Sequence, residues 1–499
     1  MGCLDTGVMV SSPPLKEWLL YKRVDTGPLD EEEKIEPRVL AVADFGRPLF
    51  IDESGYPHDA LNTFFASATS VARAHSTNWR YAHSLRVWLN FLARRARTWD
   101  IASEVDQIDF KYWRRTDPAN PRRISGASWV ADVAAYDLFY KWALRRQLIQ
   151  ELRDDGETLE PWLTLGSSRF STNRIRSADV KWFTPGAYRR WRDIGVLGFD
   201  REGAERQRWR PRNEQRDQAF VDGLYGTGLR IQEWSSLMTF ELPDRVVGRQ
   251  FQTAKMAGAC AKGGAGRKYR IKTDVLGLIE TYRSFDRAAS VRRGRANGLY
   301  KIGANTHVIE DVKNVNNLTV SIGNSRTISM DTAELTPAVR RQLFIRTPEG
   351  IEPASLWLNE SGAARAKQGW YKTFLAANHR VEKAGIDRLV CRPHMLRHSF
   401  ALRWYAMGRL AYESNLKHLG ISEQKDFRDQ FGDVWAVIQG LLGHANKSTT
   451  QDIYLEPFSS LNTDLLLEQI VGEEDAADYY LQVLRNDPRV MQDEWKVQA

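Results

Sequence analysis

Cysteine is scarce in this chain: Cys3, Cys260 and Cys391 are three in 499 residues. An odd set with no Cys-x-x-Cys spacing argues against a disulfide framework and against structural zinc, and it fits a reducing compartment. Long apolar runs are missing too. No stretch approaches the ~18 apolar residues of a membrane span, and the first twenty residues lack a basic start followed by an apolar run. The expectation is a soluble, cytoplasmic protein with no membrane partner. Acidic charge is in deficit, with 63 Asp and Glu against 71 Lys and Arg, a net charge of +8 and a pI near 9.2. That balance favours a polyanionic partner such as nucleic acid.

Periodicity is lacking in residues 1–58, which mix short apolar pieces with Pro13-Pro14 and the acidic run Asp30 to Glu33. They read as an irregular lead-in. At 499 residues the remainder is long enough for two or three domains. From Leu61 the pattern turns helical. Ser76, Thr77 and Asn78 offer an N-cap, and Trp79, Leu85, Trp88, Leu89 and Leu92 are spaced for one buried face. A second helix over 128–149 carries Trp129, Val133, Tyr136, Phe139, Tyr140 and Leu144, with a turn-rich loop at 118–123 between the two. The aromatics belong to a core. Arg80, Arg86, Arg94, Arg95, Arg122, Arg123, Arg145 and Arg146 lie around it as candidates for phosphate contact. Residues 154–180 read as a linker, whose Arg174 and Arg176 join those candidates.

A new domain is expected to begin near 181, where Thr184 caps a helix and Pro185 takes its first position. Residues 250–272 read as a hairpin around the glycines at 263–266, with Lys262 at or just before the tip. These glycines lack the spacing of a P-loop. Residues 274–297 are expected to form a helix, and the β-branched stretch 306–330 two or three further strands. Near the C-terminus, His394 and Arg397 are three apart. On a helix they share a face, where a proton donor and a fixed cation can reach one anion such as a phosphate.

The pattern His-x-x-Arg-His at His394, Arg397 and His398, then Leu-Leu-Gly-His ending at His444, then Ser-Thr-Thr-x-x-x-Tyr ending at Tyr454, resembles the C-terminal motifs of the tyrosine recombinases, or phage-integrase family. Two upstream segments extend the resemblance: Gly226-Thr227-Gly228-Leu229-Arg230 with Glu233 three residues on, and the Lys262 hairpin. The resemblance implies a multidomain, mainly α protein with small β-sheets. With 1–58 as a lead-in or an accessory DNA-contacting arm, a helical core-binding (SAM-like) domain at 59–153 would precede an α+β catalytic domain at 181–470 and a tail at 471–499. Residues 302–348 and 408–432 exceed the family core and read as insertions.

It also implies the chemistry. A phosphodiester repels nucleophiles until its non-bridging oxygens are neutralised, and arginine does this without losing its proton. Arg230 and Arg397 take that role by resemblance. A tyrosine with a pKa of about 10 must give up its proton during attack, which suits a nearby histidine. Tyr454 is then the nucleophile, His394 its base, Lys262 the acid for the leaving 5′ oxygen, and His444 a hydrogen-bond donor to the phosphate. Glu233 and His398 are supporting residues. No cofactor or metal is required. The implied partners are double-stranded DNA, a homotetramer on synapsed sites, and accessory recombinases or DNA-bending proteins, with a nucleoid-associated location. A type IB topoisomerase or hairpin resolvase would share this chemistry, and a non-catalytic DNA-binding protein could share the fold.

Overall fold

The computed structural model describes residues 17–22, 47–71, 73–149, 182–206, 209, 211–312, 316–323, 326–416, 420, 423 and 490–491. The chain divides into two compact units, with the boundary between Ser177 and Ala178. The fold is mixed helical with small sheets. The linker at 154–180, with Arg174 and Arg176, lies outside the described residues, as do His444, Tyr454 and the greater part of the tail.

The first unit begins earlier than the sequence pattern suggests. Strands β1 (Trp18–Lys22) and β2 (Pro48–Asp52) pair antiparallel, and Phe50 of β2 is fully buried. They precede α1 (Asp59–Ala66), α2 (Ala68–Val71), α3 (His75–Ala93), α4 (Glu104–Arg115) and α5 (Gly126–Arg145). The hairpin escaped notice because its two halves are separated by 25 residues of acidic and proline-containing sequence. Helix α3 starts at His75, before the expected cap, and its N-cap Ala74 makes no side-chain bond. Ser125 caps α5 by accepting from the Ser128 amide.

Burial follows the expected stripe. Leu85, Trp88, Leu89 and Leu92 of α3 pack with Phe110 of α4 and with Trp129, Tyr136, Phe139 and Tyr140 of α5. Their polar atoms are satisfied internally: Trp88 Nε1 donates to Tyr140 Oη at 3.0 Å, and Tyr140 Oη donates to the Trp99 carbonyl at 2.7 Å. A buried phenol or indole without such a partner would cost about 1–3 kcal/mol. The aromatics are therefore core, as their spacing predicted, except Trp79, which stays half-buried outside this cluster and donates to His75 Nε2.

The second unit opens with β3 (Trp182–Phe183) and α6 (Pro185–Gly195), where Thr184 Oγ1 caps the helix through the Ala187 amide. Helices α7 (Glu214–Thr227) and α8 (Ile231–Ser235) meet at the Gly-Leu-Arg corner, and β4 (Phe251–Met256) and β5 (Arg267–Lys272) form the expected hairpin. The single helix expected over 274–297 is two, α9 (Thr273–Tyr282) and α10 (Ala288–Ala296), joined through a π-helical turn at Arg283–Arg287. That turn places Arg287 so that its guanidinium donates to the carbonyls of Pro353, Ser355 and Leu356 and to Glu352.

The first insertion holds more than the expected strands. Strands β6 (His307–Asp311), β7 (Asn317–Ile322) and β8 (Arg326–Asp331), then α11 (Pro337–Arg340), β9 (Leu343–Thr347) and β10 (Gly350–Pro353), build a five-stranded sheet in the order β10-β9-β6-β7-β8. It has its own small core of Ile309, Leu318, Val320, Leu335 and Leu343, joined by Met238 and Ala354. Helices α12 (Lys367–Lys383) and α13 (Pro393–Leu416) complete the described core. In the second expected insertion, 408–432, the first nine residues continue α13 without a break, and all but Gly420 and Glu423 of the rest lie outside the described residues. Strand β11 (Val490–Met491) pairs parallel with β3.

Candidate active site

The site begins at a corner that only glycine permits. Helix α7 ends at Gly228, whose φ of +64° is left-handed. A Cβ built there would stand 2.3 Å from Cδ1 of Phe400 on α13. This close approach brings the α7–α8 corner against α13, and Arg397 Nη1 donates to the Gly228 carbonyl at 2.6 Å. Arg397 is 1 % exposed. Arg230 follows as the N-cap of α8. The two arginines assigned to the phosphate thus come from segments more than 160 residues apart, and one backbone corner positions both.

Glu233 organises the next layer. Its carboxylate is fully buried and accepts four hydrogen bonds: Oε1 from Arg230 Nη1 and Arg267 Nη1, both at 3.0 Å, and Oε2 from the Arg230 amide at 2.8 Å and Arg267 Nη2 at 2.7 Å. Those bonds use its whole acceptor capacity. Burial alone would raise its pKa, but the Arg267 bonds and charge, followed by the Arg230 amide and charge, outweigh it and hold the carboxyl below its ordinary value. The group stays ionised and fixes the Arg230 side chain, which itself remains 21 % exposed.

Arg267 was not singled out by sequence. It is the first residue of β5, so the bidentate pair also ties the hairpin to α8. The signal available was an arginine directly after the glycine-rich turn, on a strand where burial alternates. Lys262 is exposed in the connection between β4 and β5. Lys268, a second lysine after the glycines, stands in β5 opposite Lys255.

Helix α13 begins with Pro393, which supplies a preset φ and lacks the amide that would be unsatisfied there. Its first two turns carry His394, Arg397 and His398, and the N-terminal end of a helix favours an anion. The His394 and His398 rings meet edge to face, with centroids 4.4 Å apart. His398 is buried, whereas His394 keeps surface in solvent. Even so, the atoms crowded around His394 desolvate it, and the charges of Arg397, Arg230 and Lys262 add to this, so its pKa is held below the ordinary histidine value. A neutral imidazole at neutral pH can accept a proton.

The structure therefore brings together Arg230, Glu233, Lys262, His394, Arg397 and His398. Among the described residues no cluster of three or more His, Cys, Asp or Glu side chains could hold a metal, and no helix is long and apolar enough to cross a membrane. Cys260 and Cys391 are buried free thiols, both with pKa raised by burial.

The candidate phosphate contacts of the first unit separate into two groups. Arg94 is ion-paired to Glu17 at 2.8 Å, and Arg95 to Asp109 at 2.7 Å and Asp106 at 3.4 Å. Arg80, Arg122, Arg123, Arg145 and Arg146 are exposed, and Arg86 is half-buried.

No protein-family model matches the chain, and no curated protein matches it in sequence. Solved structures do. The XerH site-specific recombinase bound to palindromic difH substrate in a post-cleavage complex is 14 % identical, covering 82 % of this chain and 87 % of its own, with a TM-score of 0.46. The Tn1549 transposon integrase in complex with transposon right end DNA is 12 % identical over 86 % of this chain and 98 % of its own, with a TM-score of 0.44. XerA recombinase is 16 % identical over 83 % of this chain and all of its own, with a TM-score of 0.31.

Proposed function

We propose that this chain is a site-specific DNA recombinase of the tyrosine type, cutting and rejoining duplex DNA through a 3′-phosphotyrosine on Tyr454. The observation that carries the reading is the corner where two distant segments meet: Arg397 donates to the Gly228 carbonyl two residues before Arg230, whose side chain Glu233 holds, and His394 shares the helix of Arg397. A cluster of cations held by one buried carboxylate, Glu233, suits a phosphate bearing extra charge in its transition state.

In the reaction, Tyr454 Oη forms a bond to phosphorus and its proton passes to His394. The phosphorus–O5′ bond breaks, and Lys262 supplies the proton that O5′ needs to leave as a hydroxyl. Arg230 and Arg397 neutralise the non-bridging oxygens, and His444 donates to one of them. The phosphotyrosine conserves the ester, so a 5′-hydroxyl from a second duplex reverses the step without ATP. The finer assembly is a homotetramer on two synapsed DNA sites, with the exposed arginines of the first unit, together with Arg174 and Arg176, contacting phosphates.

Tyr454→Phe removes the attacking oxygen and little else. DNA binding should persist while the covalent adduct on a nicked suicide substrate disappears. An adduct that survives in Tyr454→Phe would refute the assignment. Strand exchange that requires two DNA sites separates a recombinase from a topoisomerase, which relaxes a single molecule.

A further inference from the structure

We infer that the inserted five-stranded sheet positions the general acid, and that Arg340 is the positioning residue through which it acts. This rests on the reading of Lys262 as that acid.

Arg340 ends α11, inside the insertion, and is 1 % exposed. A guanidinium so far from water is tolerated only where acceptors replace its hydration. Two acceptors belong to the insertion: the Leu335 carbonyl takes Nε at 2.9 Å and the Thr332 carbonyl takes Nη2 at 2.8 Å. Two belong to the catalytic framework: Nη1 donates to the Ser236 carbonyl at 3.2 Å and to the Glu241 carboxylate at 2.6 Å. Ser236 is the C-cap of α8, the helix that begins after Arg230 and contains Glu233. Glu241 also accepts from the Met238 amide at 2.9 Å. One side chain therefore joins the insertion to the far end of the arginine-bearing helix.

The same junction reaches the lysine. The Leu335 carbonyl that accepts from Arg340 also accepts from Cys260 Sγ at 3.6 Å. Cys260 closes the 3₁₀ turn Gly258–Cys260, two residues before Lys262. The turn is tightly packed: a Cβ on Gly258 would stand 2.7 Å from the Gly264 carbonyl oxygen, and one on Gly266 would stand 2.8 Å from the Met256 carbonyl oxygen. At the other end Arg267 is held by Glu233. The connection 257–266 is gripped at its entry by the insertion and at its exit by α8. Only the stretch beside Lys262 is open, where Gly263 and Gly264 have φ of +84° and +76° with no neighbour near a built Cβ. The insertion thus does more than fill a gap between boxes. It fixes the base from which Lys262 reaches the leaving oxygen.

The test compares two substrates on the full chain, an ordinary phosphodiester and one with sulfur in place of the bridging 5′ oxygen. A thiolate leaves without a proton, so a defect in acid delivery disappears on the second. Arg340→Lys keeps the charge but cannot reach all four acceptors. It should slow cleavage of the phosphodiester about 10- to 100-fold, the scale of a misplaced catalytic group, and leave cleavage of the sulfur substrate and DNA binding close to the parent's. An equal loss on both substrates, or no loss on either, overturns the inference. Lys262→Ala is the control for the underlying reading: if sulfur does not rescue it, the acid assignment fails, whereas its rescue without rescue of Arg340→Lys refutes positioning alone. Should Arg340→Lys not fold, Cys260→Ala decides, since it releases the turn from Leu335 and must show the same substrate-selective defect or the inference falls.

Discussion

Replacing Gly228 with alanine tests whether the α7–α13 contact is what builds the site. Two costs add. The left-handed backbone at φ +64° disfavours a Cβ by about 1–2 kcal/mol. The new methyl would also lie 2.3 to 2.8 Å from three atoms of the Phe400 ring, so α13 must shift or Phe400 must leave its rotamer, typically worth about 1–3 kcal/mol. The sum, roughly 2–5 kcal/mol, should appear as faster hydrogen exchange in peptides covering α7 and α13, which pack together here. Because Arg397 bonds the Gly228 carbonyl, cleavage should fall as well. The decisive comparison is with Phe400→Leu and the double variant. Trimming the ring removes the clash and leaves the backbone term, so the two substitutions must couple by more than about 0.5 kcal/mol. Additive costs would show that residue 228 does not feel Phe400, and the account of the corner would be wrong.

Three further outcomes follow from the same structure. His58 is buried beside Trp18, accepts from the Leu61 amide through Nδ1, and has its pKa lowered by burial to about 4. Unfolding lets it take up a proton, so the first unit should lose up to about 3 kcal/mol as pH falls from 6.5 to 4; His58→Asn should flatten that part of a stability-against-pH curve. Arg267→Met leaves Glu233 buried with half its donors gone and should cost about 3–5 kcal/mol in urea unfolding, with less lost when Glu233→Gln accompanies it; equal losses would mean that the carboxylate's charge is not what Arg267 answers. If the exposed Arg122 and Arg123 contact phosphates, replacing both with alanine should reduce the slope of log affinity against log salt by about 2, while Arg94→Ala, already paired with Glu17, should leave it unchanged.

By itself the sequence determined what depends on local order. Helix α6 could be read from Thr184 and Pro185, the Lys262 hairpin from its glycines, and the core of α3 and α5 from aromatics at helical spacing, because caps, turns and periodicity act over a few residues. The candidate residues Arg230, Glu233, Lys262, His394 and Arg397 were legible as short patterns for the same reason. Other features depended on partners far away in the chain. Strand β1 has no signal until it meets β2, and the helix over 274–297 gave no sign of the turn that delivers Arg287 to carbonyls some 70 residues away. Arg267 and Arg340 looked like two of many arginines. What distinguishes them is burial against Glu233 and Glu241, and burial exists only once the chain has closed around them. Tertiary structure likewise gives Arg94 a partner that the sequence does not show, an acidic residue 77 positions away. Charge on a sequence is a property of the residue, but its availability to a ligand depends on what the fold has placed beside it.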